Sequence, residues 1–476
     1  MKKERKILVA ICSLDQTGAP RSTKDMCAML IKNGFSVDLW SWLSGTMENE
    51  FLELGITPRI VPPDTLENLE REILKYDLII ANTICTHQIV QLYQEVLPIM
   101  WIIHEAGLLS SFLIRNPERH RAFLRANNLY SVSEYAAGYI ERNYHLTPRV
   151  IHNYVEDYSQ LPERGKKKKR KLSFLALGTI YPWKRTDIFI RGYTTMEPSY
   201  QNRCQLHFAG NIGDTMYFNG IMKEISPYEG IIYHGEIKER EALYQLIADS
   251  DVVVVPSKDE ACSLVVLEAA MMGKPIIAGE QVGPRDVLDA QNSWSFESGN
   301  VEELRRIYEK IINNPGQLAE MGRHSHQKYL ETSTPEIYEK RLISEVERNL
   351  SVDKIAFQKE NQFLRKKYQY SRKFSDNPFP YKEIEKGSRV ILYGAGAVGE
   401  EWYKSLKKSC YCKVELWVDK NYMTLEPEVE NPEKIVNTEY DFILVAVEDD
   451  GVFKEIKEYL TGWGIGYNLI FQLKRR

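Results

Sequence analysis

The sequence predicts an α/β fold with doubly wound parallel sheets. Between residue 6 and about residue 330, short β-rich apolar runs alternate with stretches of helical periodicity. Many of these runs are apolar almost without interruption, which is typical of parallel strands covered by helices on both faces. The same alternation resumes near residue 388 and continues to the end of the chain. Strand–helix alternation over such a length indicates α/β domains.

Each predicted strand is an apolar run that a helical or polar stretch follows. In the first half of the chain we predict strands at 6–11, 35–40, 77–82, 99–104 and 128–133. In the second half we predict strands at 172–178, 205–210, 230–235, 251–257 and 274–279. In the last hundred residues we predict strands at 388–394, 413–419, 440–447 and 467–473.

Breaks in this alternation predict the domain organisation. A chain of 476 residues has room for two to four domains at about 100–200 residues each. A polar stretch that ends in KKKKRK (166–171) separates two similar halves, and a charged helical stretch precedes NPFP. The basic run is either a solvated segment or an attraction to anionic lipid, worth about 1 kcal/mol per charge. We predict two α/β domains, a helical linker and a small α/β module, at 1–155, 156–350, 351–379 and 380–476.

Composition excludes several classes of protein. The net charge of −4 gives no global basic excess, which argues against non-specific nucleic-acid binding. No apolar run approaches the ~18 residues of a membrane-spanning helix. The seven cysteines are scattered without a Cys-x-x-Cys pair, so we expect reduced thiols and a cytoplasmic protein. We interpret MKKERK followed by ILVAICSL as a first buried strand and not as a signal peptide.

The segment PSKDEACSLVVLEAAMMGKPIIAG (256–279) carries the strongest functional signal. A buried strand ends at its start, a loop carries Glu260, a helix begins near Ser263, and Glu268 lies one to two turns into that helix. Acid pairs at this spacing are common by chance, so the context matters more than the spacing. The loop follows the carboxyl end of a strand, where α/β sheets bind ligands. The amides of Ser263 and Leu264 are expected to point from a helix N-terminus toward an anion.

This segment resembles the E-x7-E region of retaining glycosyltransferases with the GT-B fold, in the large family numbered four of the carbohydrate-enzyme classification. Other landmarks of that family occur in the same order over about residues 6–350. They are a first glycine loop with Gly18, the IIHEAG segment with His104, and the turn LGTIYPWKR with Lys184. The resemblance implies two Rossmann-like domains, an acceptor-side domain followed by a nucleotide-sugar donor domain. The strand–helix pattern of residues 380–476 adds a small Rossmann-like accessory module.

The resemblance also implies roles for individual residues. Glu268 would accept hydrogen bonds from the nucleotide ribose, Glu260 would contact donor-sugar hydroxyls, and His104 would bind the donor sugar near the reacting centre. Lys184 would face the donor phosphates, and Gly18 would lie beside them. The predicted catalytic residues are His104, Lys184 and Glu260. The predicted donor-binding residues are Gly18, Thr179, Arg185, Ser263, Leu264 and Glu268.

One position departs from the family pattern. The family carries Arg directly after the glycine that matches Gly178, where it helps to neutralise the diphosphate, and this chain has Thr179. Three interpretations stay open: Arg185 or another cation compensates, phosphate binding is weaker, or catalysis is impaired.

Neutralising the leaving diphosphate is the main chemical task of such an enzyme. One lysine ammonium about 4 Å from a phosphate charge, at an effective dielectric near 20, gives ~4 kcal/mol of gross attraction. A helix N-terminus adds about half a charge, and a glycine loop lets the backbone approach closely. We therefore expect no metal and no cofactor besides a UDP-, GDP- or dTDP-sugar donor.

A second glycine motif lies near the C-terminus. RVILYGAGAVGEEW places Gly394, Gly396 and Gly399 in G-x-G-x-x-G after a predicted strand, and Asp419 ends the next strand. That is the dinucleotide fingerprint in its proper context, although the module has room for only half of a full dinucleotide fold. Either it binds a nucleotide, or it has a docking or stabilising role with the loop empty.

We predict a retaining glycosyltransferase of the hexosyltransferase type. It would move a sugar from a nucleotide-sugar to a glycan or lipid-linked acceptor in surface polysaccharide or glycoconjugate biosynthesis. The alternatives are a catalytically weak binding subunit and an NAD-dependent sugar-modifying enzyme centred on the C-terminal glycine loop. The basic stretch 115–127 is either an ordinary amphipathic helix or a peripheral contact with the inner face of the membrane. Nucleic acid is not an expected partner, and oligomerisation stays open.

Overall fold

A computed structural model of the chain describes residues 5–16, 18–161, 171–351, 380, 384–409, 411–424 and 428–474. The chain divides into two compact units, Met1–Asn361 and Gln362–Arg476. Nearly all of the predicted linker 351–379 and most of the basic run 166–171 lie outside the described residues. The predicted four-segment division therefore stays a prediction.

The first unit begins with a parallel seven-stranded sheet in the order β3-β2-β1-β4-β5-β6-β7. Its strands are β1 (Lys6–Ile11), β2 (Ser36–Ser41), β3 (Arg59–Ile60), β4 (Leu78–Asn82), β5 (Ile99–Ile103), β6 (Leu129–Ser131) and β7 (Arg149–Val150). Its helices are α1 (Gly18–Lys32), α2 (Glu48–Glu53), α3 (Glu70–Ile73), α4 (His87–Tyr93), α5 (Gly107–Ile114), α6 (Pro117–Leu124) and α7 (Glu134–Tyr144). Apolar clusters cover both faces of this sheet, which we call the first lobe.

A second parallel sheet of six strands follows, in the order β10-β9-β8-β11-β12-β13, and forms the second lobe. Its strands are β8 (Leu172–Leu177), β9 (Cys204–Ala209), β10 (Ile231–Tyr233), β11 (Val252–Val255), β12 (Ile276–Gly279) and β13 (Ser293–Phe296). The helices that follow β8 are α8 (Thr186–Thr194), α9 (Pro198–Gln201), α10 (Thr215–Ile225), α11 (Arg240–Ala248), α12 (Leu264–Met271), α13 (Val301–Asn313), α14 (Leu318–Thr332) and α15 (Pro335–Leu350).

The last helix of this unit, α15, returns to the first lobe. Its buried side chains Tyr338, Leu342 and Val346 belong to the apolar cluster of the first sheet. The chain thus crosses between the lobes twice, once after β7 and once before α15. The two crossings touch, because the Val155 amide donates to the Ser333 carbonyl at 3.3 Å. We call this hydrogen-bonded pair of segments the double crossing.

The second unit holds a four-stranded parallel sheet in the order β15-β14-β16-β17. Its strands are β14 (Arg389–Tyr393), β15 (Lys413–Val418), β16 (Phe442–Ala446) and β17 (Ile470–Leu473). Its helices within the described residues are α16 (Ala397–Ser409) and α17 (Asp450–Gly462). Apolar clusters cover both faces of this sheet as well.

The predicted fold class is confirmed, since three parallel sheets alternate with helices. Every predicted strand has a counterpart in the structure, and β1 has the predicted bounds. The strands β3, β7 and β13 were not predicted. They lie at sheet edges and are two to four residues long, so they carry little of the apolar signal on which the prediction depends. Among the described helices, none is long and apolar enough to span a bilayer.

Candidate active site

The loops after β5 and β11 meet at the carboxyl edges of the two sheets of the first unit. The Asp259 carboxylate joins them: Oδ1 accepts from the Gly107 amide at 2.8 Å, and Oδ2 accepts from the Tyr135 hydroxyl at 2.8 Å. The Ser133 hydroxyl also donates to the Ala261 carbonyl. These contacts join the two lobes across one crevice, between the loop that carries His104 and the loop that carries Glu260, at the edge where α/β sheets bind ligands.

His104 follows β5 on the first-lobe side of this crevice. Its Nε2 lies 2.6 Å from the Asn82 Oδ1. The Asn82 amide nitrogen donates to Thr23, whose hydroxyl donates in turn to the Ala19 carbonyl at 2.8 Å. Asn82 therefore presents its oxygen to the ring, so His104 carries its proton on Nε2 and leaves Nδ1 as an acceptor. Burial lowers the pKa of His104 to about 4, so the imidazole is neutral near pH 7.

Lys184 and Glu260 lie together on the second-lobe side. The Lys184 ammonium is 2.8 Å from Glu260 Oε1, and the side chains are 35% and 14% exposed. The Ser257 hydroxyl donates to the same oxygen. Lys184 ends the short 3₁₀ turn Pro182–Lys184, and Glu260 lies in the loop after β11. The pair places an ammonium and a carboxylate at the mouth of the crevice.

The N-terminus of α12 lies three residues beyond Glu260. Ser263 precedes the helix, is 1% exposed, and has an Oγ without a hydrogen-bond partner in the described part of the chain. Leu264 is the first helical residue, so its amide has no acceptor within the helix. The Leu264 amide and the buried Ser263 hydroxyl at a positive helix end suit an anionic group. The role predicted for the Ser263 amide is wrong, because that amide donates to the Gly283 carbonyl at 2.8 Å.

Glu268 lies in α12 beside two guanidinium groups. Burial raises the pKa of Glu268 to about 7, and Arg240 and Arg21 oppose that rise. Arg240 belongs to α11 of the second lobe and Arg21 to α1 of the first. Both lobes therefore contribute charge around this carboxyl.

The predicted phosphate turn follows β8. Gly178 has a φ of +136°, which strongly favours glycine, and its backbone lies against the Lys184 side chain. The Thr179 hydroxyl donates to the Asn211 Oδ1 at 2.7 Å. The Arg185 guanidinium packs against Gly299, and its buried Nε has no partner within the described residues. Compensation for Thr179 by Arg185 stays a prediction.

Gly18 begins α1 at the carboxyl edge of the first sheet. A Cβ at Gly18 would meet no atom within 4 Å. A small, partly open cavity is lined by Ser22 of α1 and by Asn82, His104 and Asn153 among others. The start of α1 and His104 thus border the same space, while the contact of Gly18 with phosphate stays a prediction.

The second unit holds the other glycine loop. Gly394 has a φ of +103°, and a Cβ on Gly399 would lie 2.0 Å from the Gly394 carbonyl oxygen, so α16 packs closely on β14. A Cβ on Gly396 would meet nothing within 4 Å. The Asp419 carboxylate accepts from the amides of Ala395 and Asn421, each at 2.8 Å. Asp419 therefore holds the glycine loop, and nucleotide binding there stays a prediction.

Three groups of residues around the crevice were not singled out from the sequence. They are Asp259, which joins the loops, Asn82 with Thr23, which orient His104, and Arg21 with Arg240, which flank Glu268. Asn82 ends a predicted strand, so its position at the carboxyl edge was a usable signal. The Asp259 contact joins residues 152 positions apart, and no local pattern indicates it.

We expect Tyr135→Phe to lower the free energy of unfolding by ~1.5–3 kcal/mol, because a hydrogen bond to a charged group is lost. The matched control is Tyr139→Phe on the same helix, which loses a 2.7 Å contact with the Ser110 hydroxyl. That neutral pair should cost ~0.5–1.5 kcal/mol. Urea unfolding of both variants measures the difference, and equal costs would contradict a charged Asp259 partner.

The second-lobe sequence matches the profile of the family described as Glycosyl transferases group 1, over residues 157–328. An uncharacterized glycosyltransferase of Haemophilus influenzae is 20% identical over 219 residues, which are 46% of this chain and 60% of that relative. The chain thus covers less than two thirds of that relative's length. Among the described helices and sheets, no group of three His, Cys, Asp or Glu side chains is placed to hold a metal ion.

Solved structures share the fold of the first unit. HepE of Anabaena, crystallised in complex with UDP, superposes with a TM-score of 0.64 at 17% identity, over 72% of this chain and 100% of HepE. WaaG, a glycosyltransferase involved in lipopolysaccharide biosynthesis, superposes with a TM-score of 0.55 at 14% identity, over 70% of this chain and 98% of WaaG. The chain therefore contains the GT-B fold of glycosyltransferases.

Proposed function

We propose that this protein is a retaining glycosyltransferase of the hexosyltransferase type. It moves a sugar from a nucleotide-sugar to a glycan or lipid-linked acceptor in surface polysaccharide or glycoconjugate biosynthesis. The observation that carries the proposal is the Lys184–Glu260 ion pair at 2.8 Å. Three residues beyond Glu260, the buried Ser263 hydroxyl at the start of α12 has no hydrogen-bond partner among the described residues.

The proposed chemistry needs charge stabilisation at the leaving group. Cleavage of the sugar–diphosphate bond leaves a diphosphate with about one more negative charge, and fixed cations and dipoles stabilise it. The Lys184 ammonium turns from Glu260 toward this diphosphate, and the Ser263 hydroxyl and Leu264 amide donate to its oxygens. Glu260, released from the ammonium, accepts hydrogen bonds from donor-sugar hydroxyls.

Retention of configuration follows from attack on the face that the diphosphate leaves. The leaving phosphate takes the acceptor proton, so no protein nucleophile is needed. His104 supports this arrangement as a neutral ring with an acceptor Nδ1, because a hydroxyl of the donor sugar can donate to it. Glu268 receives the ribose hydroxyls, and both neighbouring guanidinium groups favour its charged form.

The first experiment identifies the nucleotide of the donor. HepE was solved with UDP and with UDP-glucose, and UDP is therefore the first nucleotide to test here. We expect UDP to raise the melting temperature above the values with GDP, dTDP and NAD, since a ligand stabilises by RT ln(1 + [L]/Kd). Stabilisation by NAD alone would instead favour the C-terminal glycine loop as the centre of function.

The reaction itself is tested with UDP-sugars and NMR of the anomeric proton. Release of UDP with a product of the donor's own anomeric configuration supports the proposal. Inversion of configuration would overturn the retaining mechanism. Tight UDP binding without turnover for any donor would favour the catalytically weak binding subunit that Thr179 suggested.

The acceptor and its location complete the proposal. Lipid-linked or glycan acceptors would enter from the first lobe, where the basic stretch 115–127 includes the whole of α6. Peripheral contact with the inner face of a membrane and a cytoplasmic location belong to this proposal. Sedimentation with anionic vesicles, compared with neutral ones, tests the membrane contact.

A further inference from the structure

Two cysteines meet at the carboxyl edge of the first sheet. Cys12 follows β1, and Cys85 lies in the short turn Ile84–Thr86 after β4, the neighbouring strand. Both side chains pack against the same apolar cluster of the first sheet. The Thr83 hydroxyl connects them further, because its Oγ1 lies 3.4 Å from the Cys12 sulfur and accepts from the Cys85 amide at 3.3 Å. Both cysteines are only half-buried.

The surroundings favour a thiolate on Cys85. The Cys12 thiol donates to it, and the Arg119 guanidinium of α6 adds positive charge, so the pKa of Cys85 is lowered to about 6. The same contact and burial raise the pKa of Cys12. Two further groups face the pair: Glu105, whose pKa burial raises to about 8, and His87 of α4, whose pKa burial lowers to about 4. Both are largely neutral near pH 7.

The other described cysteines lack this environment. Cys27, Cys204 and Cys412 are buried. Cys262 is half-buried like the pair, but burial raises its pKa to about 12. Thiol reactivity requires a thiolate that reagents can reach. Among the described cysteines, Cys85 alone has both properties, and Cys12 shares the Thr83 hydroxyl with it.

We propose that Cys12 and Cys85 form a reversible oxidation site that a hydroperoxide converts into a Cys12–Cys85 disulfide. With hydrogen peroxide, the Cys85 thiolate attacks one oxygen, the O–O bond breaks, and hydroxide leaves a sulfenic acid on Cys85. The Cys12 sulfur then attacks the Cys85 sulfur, the S–O bond breaks, and the Cys12 proton leaves with the oxygen as water. Two thiols are oxidised, and one peroxide is reduced to two waters.

The site is linked to His104 by hydrogen bonds. The turn that carries Cys85 donates from the Ile84 amide to Glu105 Oε2 at 3.3 Å, and the His104 amide donates to the same oxygen at 3.0 Å. A disulfide brings the sulfurs to about 2.05 Å, closer than any hydrogen bond. We infer that this shift displaces Glu105 and slows sugar transfer, a consequence that rests on the proposed function.

The first test is a mass map of the reduced full-length protein after brief exposure to hydrogen peroxide and trapping with N-ethylmaleimide. We expect one linked peptide pair, Cys12 with Cys85, lighter by two hydrogen atoms, while Cys262 is trapped as the free thiol. Dithiothreitol should restore both thiols. Absence of the linked pair, or oxidation of Cys262 before Cys85, would overturn the proposal.

A second test follows the rate of Cys85 alkylation by iodoacetamide against pH. The wild type should show a midpoint near 6, as the cause given above requires. Cys12→Ala removes the donor thiol and should move the midpoint toward the ordinary value of about 8.5, with Cys204→Ala as the matched control that leaves it in place. If Cys12→Ala leaves the pH midpoint of Cys85 alkylation unchanged, Cys12 does not act on Cys85 and the proposed pair is contradicted.

Activity is measured separately from the mass map. If the reduced protein transfers sugar, oxidation of the wild type should lower the transfer rate about tenfold, and dithiothreitol should restore it. The rate of Cys85→Ser should not change with peroxide. A disulfide without any loss of rate would overturn the link to His104. A disulfide in a protein that transfers no sugar in either state would instead count against the proposed function and leave the oxidation site standing.

Discussion

Lys184→Ala is expected to lower the rate of sugar transfer by ~10²–10³-fold, the usual cost of removing one group that stabilises developing negative charge. The ammonium lies 2.8 Å from Glu260 in the crevice and is only partly exposed. Without it, the leaving diphosphate loses its nearest side-chain cation, and Glu260 loses its partner. Since the effect falls on the transition state, kcat should fall more than KM rises.

Steady-state release of UDP measures this loss. The matched control is Lys258→Ala, because Lys258 is an exposed lysine of the loop that carries Glu260, and its ammonium stands 5.1 Å over the Trp183 ring. Lys184→Arg keeps the charge in another shape and should recover part of the rate. Equal rates for Lys184→Ala and Lys258→Ala would remove Lys184 from the reaction.

UDP binding is expected to tighten as the pH rises through about 7, because Glu268 ionises in that range. A carboxylate accepts hydrogen bonds from the ribose more strongly than a protonated carboxyl group does. Glu268→Gln removes the charge, and it should weaken UDP binding at pH 8 by ~10–100-fold, the equivalent of one or two such bonds. Isothermal titration calorimetry between pH 6 and pH 8 measures both effects.

The same carboxyl group has a consequence for stability. The folded protein holds the Glu268 proton more tightly than the unfolded chain, where a glutamate has a pKa near 4.3. The raised pKa of Glu268 therefore stabilises the folded protein fully below about pH 4, and this stabilisation is lost as the pH rises through about 7. Glu268→Gln should remove that slope in the absence of UDP. Identical pH slopes in the wild type and in Glu268→Gln would contradict the raised pKa.

The fold was largely predictable from the sequence because its strands are continuous apolar runs. Val252–Val255 is the clearest case, since a strand covered on both faces needs no polar alternation. The two-residue strands β3 and β7 were not predictable, because their pairing depends on neighbouring strands and not on their own residues. The site was predictable only as far as single positions, through the resemblance and the carboxyl ends of strands.

Contacts within the site could not be predicted. The sequence assigned Lys184 to the donor phosphates and Glu260 to the donor sugar, and in the structure the two side chains pair with each other. The proposed function makes the two compatible, because it requires the pair to open when a donor enters. Asp259 lies next to Glu260 in sequence and attracted no prediction, because only the fold brings Gly107 and Tyr135 to its carboxylate.

The double crossing constrains how the crevice can open. Both polypeptide connections between the lobes pass one point, where the Val155 amide and the Ser333 carbonyl are bonded and the Tyr329 hydroxyl donates to the Val155 carbonyl at 3.1 Å. Two connecting segments that are hydrogen-bonded at one point favour a hinge rotation of the lobes over a sliding of one lobe along the other. We therefore expect the crevice to open by a hinge rotation about the double crossing, with the largest displacement at the edge of the crevice farthest from it.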